Sequence, residues 1–147
     1  MIADTDINRF IMAQENVYLR VINELQHDKK TSHWMWFIFP QIEGLGFSST
    51  SKYYSIKTFE EAKEYLIHPV LGKRLVECSN ILLNIQGKSA ERIFGYPDNL
   101  KLQSSMTLFS FISPEATVFL NVLDKYFNSE KDQKTLDILK SMPQQEN

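Results

Sequence analysis

The sequence predicts an all-α fold, a compact single-domain bundle of about six to seven helices. Three observations carry this. Apolar residues recur at three- and four-residue steps through most of the chain, which is the stripe of an amphipathic helix. Capping and breaking residues punctuate those stripes at helix-length intervals. Period-two alternation never persists beyond about four or five residues, so no half-buried strand is expected. At 147 residues the chain is long enough to bury a real core without disulfide or metal support. One domain over residues 1–147 is expected, with an ordered core over about 5–141 and a polar tail at 143–147.

The first stripe, Ile7, Phe10, Ile11, Val17, Tyr18, Val21, Ile22 and Leu25, predicts one helix running to about His27, with Asp4, Thr5 or Asp6 as its N-cap. A basic turn, His27 to Lys30, leads to Ser32-His33-Trp34-Met35-Trp36-Phe37-Ile38-Phe39-Pro40-Gln41. Ser32 suits the cap of a short helix that Pro40 must end, and a buried strand competes with that reading. Gly44, Gly46 and the Ser48–Ser51 cluster read as a loop. Thr58 and Glu61 have capping-box spacing and open a helix over Phe59–Ile67. His68-Pro69 interrupts it, and Pro69 suits the first position of the next helix. That helix turns Val70, Leu71, Leu75, Cys78, Ile81, Leu82 and Ile85 inward until Gly87. Ser89 caps a short helix that Gly95 stops, and Pro97 and Pro114 open helices near 97–112 and 114–127. Asp132 caps the last helix, which carries Leu136 and Leu139.

Composition narrows the function classes. The net charge is −2 with both signs interspersed, so no one-sided basic field for nucleic acid is built. No run approaches about 18 apolar residues, so no membrane span is expected. The single cysteine, Cys78, lies among apolar neighbours and reads as a buried hydrophobe in a reducing compartment. A cytoplasmic protein is the expectation. His27, His33 and His68 share no ligand spacing, so no metal site is predicted. No nucleophile elbow, phosphate loop or dinucleotide fingerprint occurs, and no cofactor is expected.

Two polar concentrations remain as site candidates. In the 31–41 segment four aromatic residues fall within six positions, with both tryptophans of the chain among them. Their indole N–H groups and His33 need partners if buried. In the 95–109 segment Asp98, Lys101 and Ser105 share one helical face, and Ser104, Ser105 and Thr107 bring hydroxyls toward the core. A capped helix with a solvated ion pair accounts for Asp98 and Lys101 as well. His68 reads as a helix-boundary residue and Arg74 as an exposed pairing residue.

The strings SHWMWFIFPQ, GLGFSSTSKYYSI, EEAKEYLIHPVLGKRL, IFGYPDNLKLQSSMTLF and LDKYF resemble a bacterial family catalogued as domain of unknown function 1810. The resemblance covers about residues 7–140. Members are sometimes labelled calpastatin, a name for an inhibitor of a protease that a bacterial cytoplasm is not expected to contain. The resemblance implies an all-α fold similar to the YbiA-like superfamily, whose NADAR branch cleaves N-glycosidic bonds in ADP-ribose-type or ribosylamine-phosphate compounds. The chain lacks that branch's Trp-Gly closing signature and its Ser-Glu-His motif. Fold and substrate class are therefore carried over, and no catalytic residue is.

Read against N-glycosidic chemistry, the residues themselves offer a set of roles. Hydrolysis needs a carboxylate to activate water and a donor for the leaving nitrogen. Asp98 is the preferred carboxylate over Glu61, whose cap role competes, and His33, with a usual pKa of about 6.5, is the preferred donor. Trp34 or Trp36 would stack on a ring, Gln41 and Tyr53 would fix hydroxyls, and Lys101 with the 44–51 loop would hold a phosphate. Ser105 joins the same polar lining. The expectation is a hydrolase or N-glycosidase acting on a small nucleotide-sugar ligand. The alternative is a non-catalytic module that binds a nucleotide or a protein, and the blandest reading makes the aromatic segment entirely core. Oligomeric state is left open.

Overall fold

The computed structural model describes residues 6–143. Ten helices occur among them: α1 (Asn8–Glu15), α2 (Tyr18–Gln26), α3 (Met35–Ile38), α4 (Ser49–Tyr54), α5 (Phe59–Ile67), α6 (Leu71–Asn84), α7 (Ala90–Phe94), α8 (Asp98–Ile112), α9 (Thr117–Phe127) and α10 (Gln133–Ser141). No strand forms among the described residues; Ile42 and Ile56 make one isolated parallel bridge. The fold is all-α as the periodicity predicts, but with more and shorter helices than six or seven.

The centre is α8, which packs against α5, α7, α9 and α10. A helix surrounded on so many sides must be able to bury nearly its whole circumference. Its buried hydroxyls satisfy themselves locally. Ser104 Oγ donates to Leu100 O (3.2 Å), Thr107 Oγ1 to Gln103 O (2.8 Å) and Ser110 Oγ to Thr107 O (3.0 Å). Such back-bonding removes the cost of a polar group in the core. Ser105 is the exception: it is fully buried and its Oγ has no hydrogen-bond partner among the described residues.

The single long first helix is corrected to two. The chain leaves helical geometry at Asn16 and Val17. Gln14, fully buried, donates to Phe37 O (2.7 Å) and contacts the Tyr65 hydroxyl (3.1 Å), while Arg74 donates to its Oε1 (3.1 Å). With Gln14 locked, α1 packs on α3 and α2 turns away to pack on α6. Two different partners require two axes. Of the three N-cap choices, Asp4 and Thr5 lie outside the described residues, and Asp6 Oδ1 accepts from the Asn8 N–H (2.9 Å).

The 48–51 cluster is also corrected, from loop to helix: Ser48 accepts from the Ser51 N–H and opens α4. Gly46 allows this, since a Cβ there would lie 2.5 Å from Ser51 Oγ. Thr58, Ser89 and Asp132 cap α5, α7 and α10 as their spacing predicts. Gly95, at φ +79°, ends α7, and α9 begins three residues after Pro114. His68 Nδ1 accepts from the Val70 and Leu71 N–H groups, a boundary role between α5 and α6. Gly72 lets that corner close: a Cβ would stand 2.0 Å from Leu66 O.

Candidate functional site

The aromatic segment becomes one short helix, α3, rather than a strand, and its two tryptophans part company. Trp34 is 1% exposed and donates its indole N–H to Glu24 Oε1 (2.8 Å). The same carboxylate accepts from the Thr31 N–H (2.8 Å), the Ser32 N–H (3.1 Å) and the Ser32 hydroxyl (2.5 Å). Burial alone pushes the Glu24 carboxyl up, but the Ser32, Thr31 and Trp34 donors outweigh it and hold the group at about 2. Glu24 thus clamps the turn that feeds α3. Trp34 belongs to the core, edge-on to Phe94, and this part of the aromatic segment matches the bland expectation.

Trp36, two residues on, is only partly buried and faces a groove. Two cavities meet there. One, of about 260 Å³, lies between α3 and α4 beside Ile42, Tyr54 and Ser55. The other, of about 440 Å³, opens toward α8 and α10 and is lined by Pro97, Lys101, Ser104, Asp132 and Lys134. Trp36, Gln41, Gly46, Phe47 and Ser51 line both. Phe47 is 82% exposed, so its ring stands at the groove's edge without cover.

Charge is arranged around that junction. Lys101 Nζ lies 5.2 Å from the centre of the Trp36 ring and 3.2 Å from Asp98 Oδ1. Lys30 Nζ holds the other Asp98 oxygen at 2.8 Å and lies 5.2 Å from the Trp34 ring centre. Asp98 therefore sits between two ammonium groups, each of which also stacks on one of the tryptophans. Lys134, which is exposed, adds a further cation to the groove wall beside the half-buried Lys101.

Of the residues singled out in the sequence, the structure brings Trp36, Gln41 and Lys101 into the groove lining. Asp98 stands behind Lys101. Two others are displaced by one position: Tyr54 lines the groove where Tyr53 was expected, and Ser104 where Ser105 was. Tyr53 is exposed, its ring edge against Tyr54 and its carbonyl accepting from Arg9 Nε. His33 is exposed and is not among the lining residues. Glu61 is engaged elsewhere. It forms a buried ion pair with Arg9 (2.6 Å) and accepts from the Lys57 N–H (2.8 Å), while Thr58 caps its own N–H.

The 44–51 segment, expected to hold a phosphate, does line the groove, with Phe47 at its edge; sequence reading missed Asp132 and Lys134 as groove residues, and Arg9 as the buried tie behind α4. Arg9 donates to Tyr53 O (2.8 Å), Ser55 O (2.8 Å) and Glu61, fixing the groove wall from behind. Its signal was a cation next to Phe10 on a stripe, which ordinarily marks an exposed flank. Arg74, expected to pair with a carboxylate, instead stacks on Tyr18 (4.6 Å) and bonds Gln14. Cys78 is fully buried, and burial pushes its thiol up to about 12, which leaves it unreactive.

Among the described residues no three His, Cys, Asp or Glu side chains converge to hold a metal ion. No helix is long and apolar enough to cross a membrane. The arrangement can present an aromatic face, hydroxyl and amide groups, three lysines (Lys52, Lys101 and Lys134) and two carboxylates (Glu43 and Asp132) to a small molecule. Fold and groove together define a small all-helical protein built around a buried central helix with an aromatic and basic groove on one side.

The chain belongs to the family described as protein of unknown function (DUF1810), whose model matches residues 4–139. It is similar to the conserved hypothetical protein Rv1873 from Mycobacterium tuberculosis, known from a crystal structure: 45% identity, a TM-score of 0.92, covering 93% of this chain and 98% of that one. No match was found among curated proteins.

Proposed function

We propose that the protein binds a phosphorylated ribosyl compound of the nucleotide-sugar type in the groove between α3, α4, α8 and α10. The carrying observation is that two cavities meet at Trp36, Phe47 and Gln41, each with an apolar wall beside charged groups: Glu43 and Lys52 in the smaller, Lys101, Lys134 and Asp132 in the larger. The smaller, beside Ile42 and Tyr54, suits a flat ring. The larger, with Lys101 and Lys134, suits an anionic arm. A ligand carrying both parts would use the whole groove, with Trp36 as the stacking surface. The test is calorimetric and thermal: ADP-ribose, NAD, ribose 5-phosphate and common nucleotides are titrated against the purified protein. A ligand present at 100 times its Kd stabilises the native state by about 2.7 kcal/mol, and silence across the set would overturn the reading.

Cleavage of the ligand's N-glycosidic bond is the second reading, and the Asp98–Lys101–Trp36 array favours it. Lys101 bonds Asp98 and lines the groove, so a phosphate that draws Lys101 away would free Asp98 Oδ1 to take a proton from water as the water oxygen bonds the anomeric carbon and the C–N bond breaks, the leaving nitrogen taking its proton from solvent. In that case Asp98→Asn abolishes turnover while the melting temperature hardly changes. Chromatography of the ligand after incubation separates the readings, because a binder returns the compound intact. Retained turnover in Asp98→Asn removes this residue from the chemistry.

A further inference from the structure

We infer that Asp132 is the groove's acceptor for a sugar hydroxyl pair, and so the residue that separates ribose-bearing from deoxyribose-bearing ligands; this rests on the nucleotide-sugar reading above. Asp132 lines the larger cavity together with Lys101, Lys134 and Trp36. One carboxylate oxygen is fully committed. Oδ2 accepts from the Thr135 N–H (3.1 Å) and the Thr135 hydroxyl, and shares the Ser104 hydroxyl proton (3.1 Å) with Leu100 O. The residue's own N–H donates to Thr107 Oγ1 (2.9 Å). Side chain and backbone are therefore fixed from both α8 and α10, at the seam where the two helices pack.

The other oxygen is free to act. Oδ1 accepts no hydrogen bond from the described residues, and no described lysine or arginine forms an ion pair with Asp132, since Lys101 is held by Asp98. A fixed carboxylate with an open oxygen accepts from hydroxyl donors and repels phosphate. Beside two lysines that take the phosphate, the hydroxyl-bearing part of the ligand is what belongs on Asp132. An acidic side chain receiving ribose hydroxyls is chemistry that other nucleotide folds also use.

The experiment compares ADP with 2′-deoxy-ADP by titration calorimetry on the wild-type protein, Asp132→Ser and Asp132→Asn. Serine and asparagine both cap helices well, so α10 survives either change, and the melting temperature checks this. The wild type is expected to prefer ADP by about tenfold, the worth of one hydrogen bond to a charged acceptor. Asp132→Ser should bind both compounds about equally, and Asp132→Asn should keep an intermediate preference, with phosphate affinity not reduced in either. Equal binding by the wild type, or an undiminished preference in Asp132→Ser, overturns the assignment and leaves the groove reading standing. No binding of either compound by the wild type overturns the assignment, and silence of ADP-ribose, NAD and ribose 5-phosphate as well overturns the groove reading with it.

Discussion

Trp34 and Trp36 are the same residue type, two positions apart, yet one is core and the other is groove. Trp34 is the non-helical N-cap of α3 and Trp36 lies within it, so the two rings leave the backbone in different directions, and the partners decide what each direction means. Trp34 finds a committed carboxylate for its N–H and a ring edge for its body. Trp36 finds a lysine over its face and open space beyond. Aromatic density alone does not separate structure from site; the fate of the polar N–H and the neighbouring charges does.

The sharpest way to break this comparison is to truncate each ring. Trp34→Ala should cost about 3–5 kcal/mol, as removal of a large core side chain does. Chemical denaturation measures it; a loss below about 1 kcal/mol would mean that Trp34 is not core. Next in size, Glu24→Gln removes the charge that four donors share and should cost about 1–3 kcal/mol by the same assay. A cost indistinguishable from zero would show that the turn at 31–34 does not depend on that carboxylate.

The same group sets an acid dependence. The folded-state Glu24 carboxyl lies near 2, below its ordinary 4.5, so its stabilisation is fully present above about 4.5. It is lost progressively as pH falls toward 2. The difference in stability between wild type and Glu24→Gln should therefore shrink over that window, and a constant difference would contradict the clamp. The smallest expected stability effect is at Trp36, where Ala should cost no more than about 1 kcal/mol. Its cost should appear instead as lost ligand affinity in calorimetry. A Trp36→Ala protein that binds as well as wild type would erase the contrast between the two rings.

What the sequence made legible follows local chemistry. Thr58, Ser89 and Asp132 are recognisable caps because an N-cap bond spans only three residues. The break at Asn16–Val17 was invisible because its cause, the locking of Gln14 by Phe37, Tyr65 and Arg74, is spread over some sixty positions. α4 was hidden because serines and glycines signal turns, while its placement depends on distant Arg9. Of the groove lining, Trp36, Gln41 and Lys101 were readable from type and spacing. The one-position offsets were not: Tyr54 ends α4, a helix the sequence did not announce, and in α8 packing decides which of the adjacent Ser104 and Ser105 hydroxyls meets the groove. Asp132 was read correctly as a cap, and that role concealed its place in the groove wall.

The tie made by Arg9 bears on how the groove comes into being as the chain is synthesised. Positions 9, 55 and 61 all lie in the first half of the sequence, so the α4 wall can be secured before the second half has left the ribosome. The opposite wall, from Pro97 to Lys134, arrives only later. The groove is therefore a seam between an early and a late portion of the chain, and a nascent protein holds only part of the groove's wall until its last helix has docked.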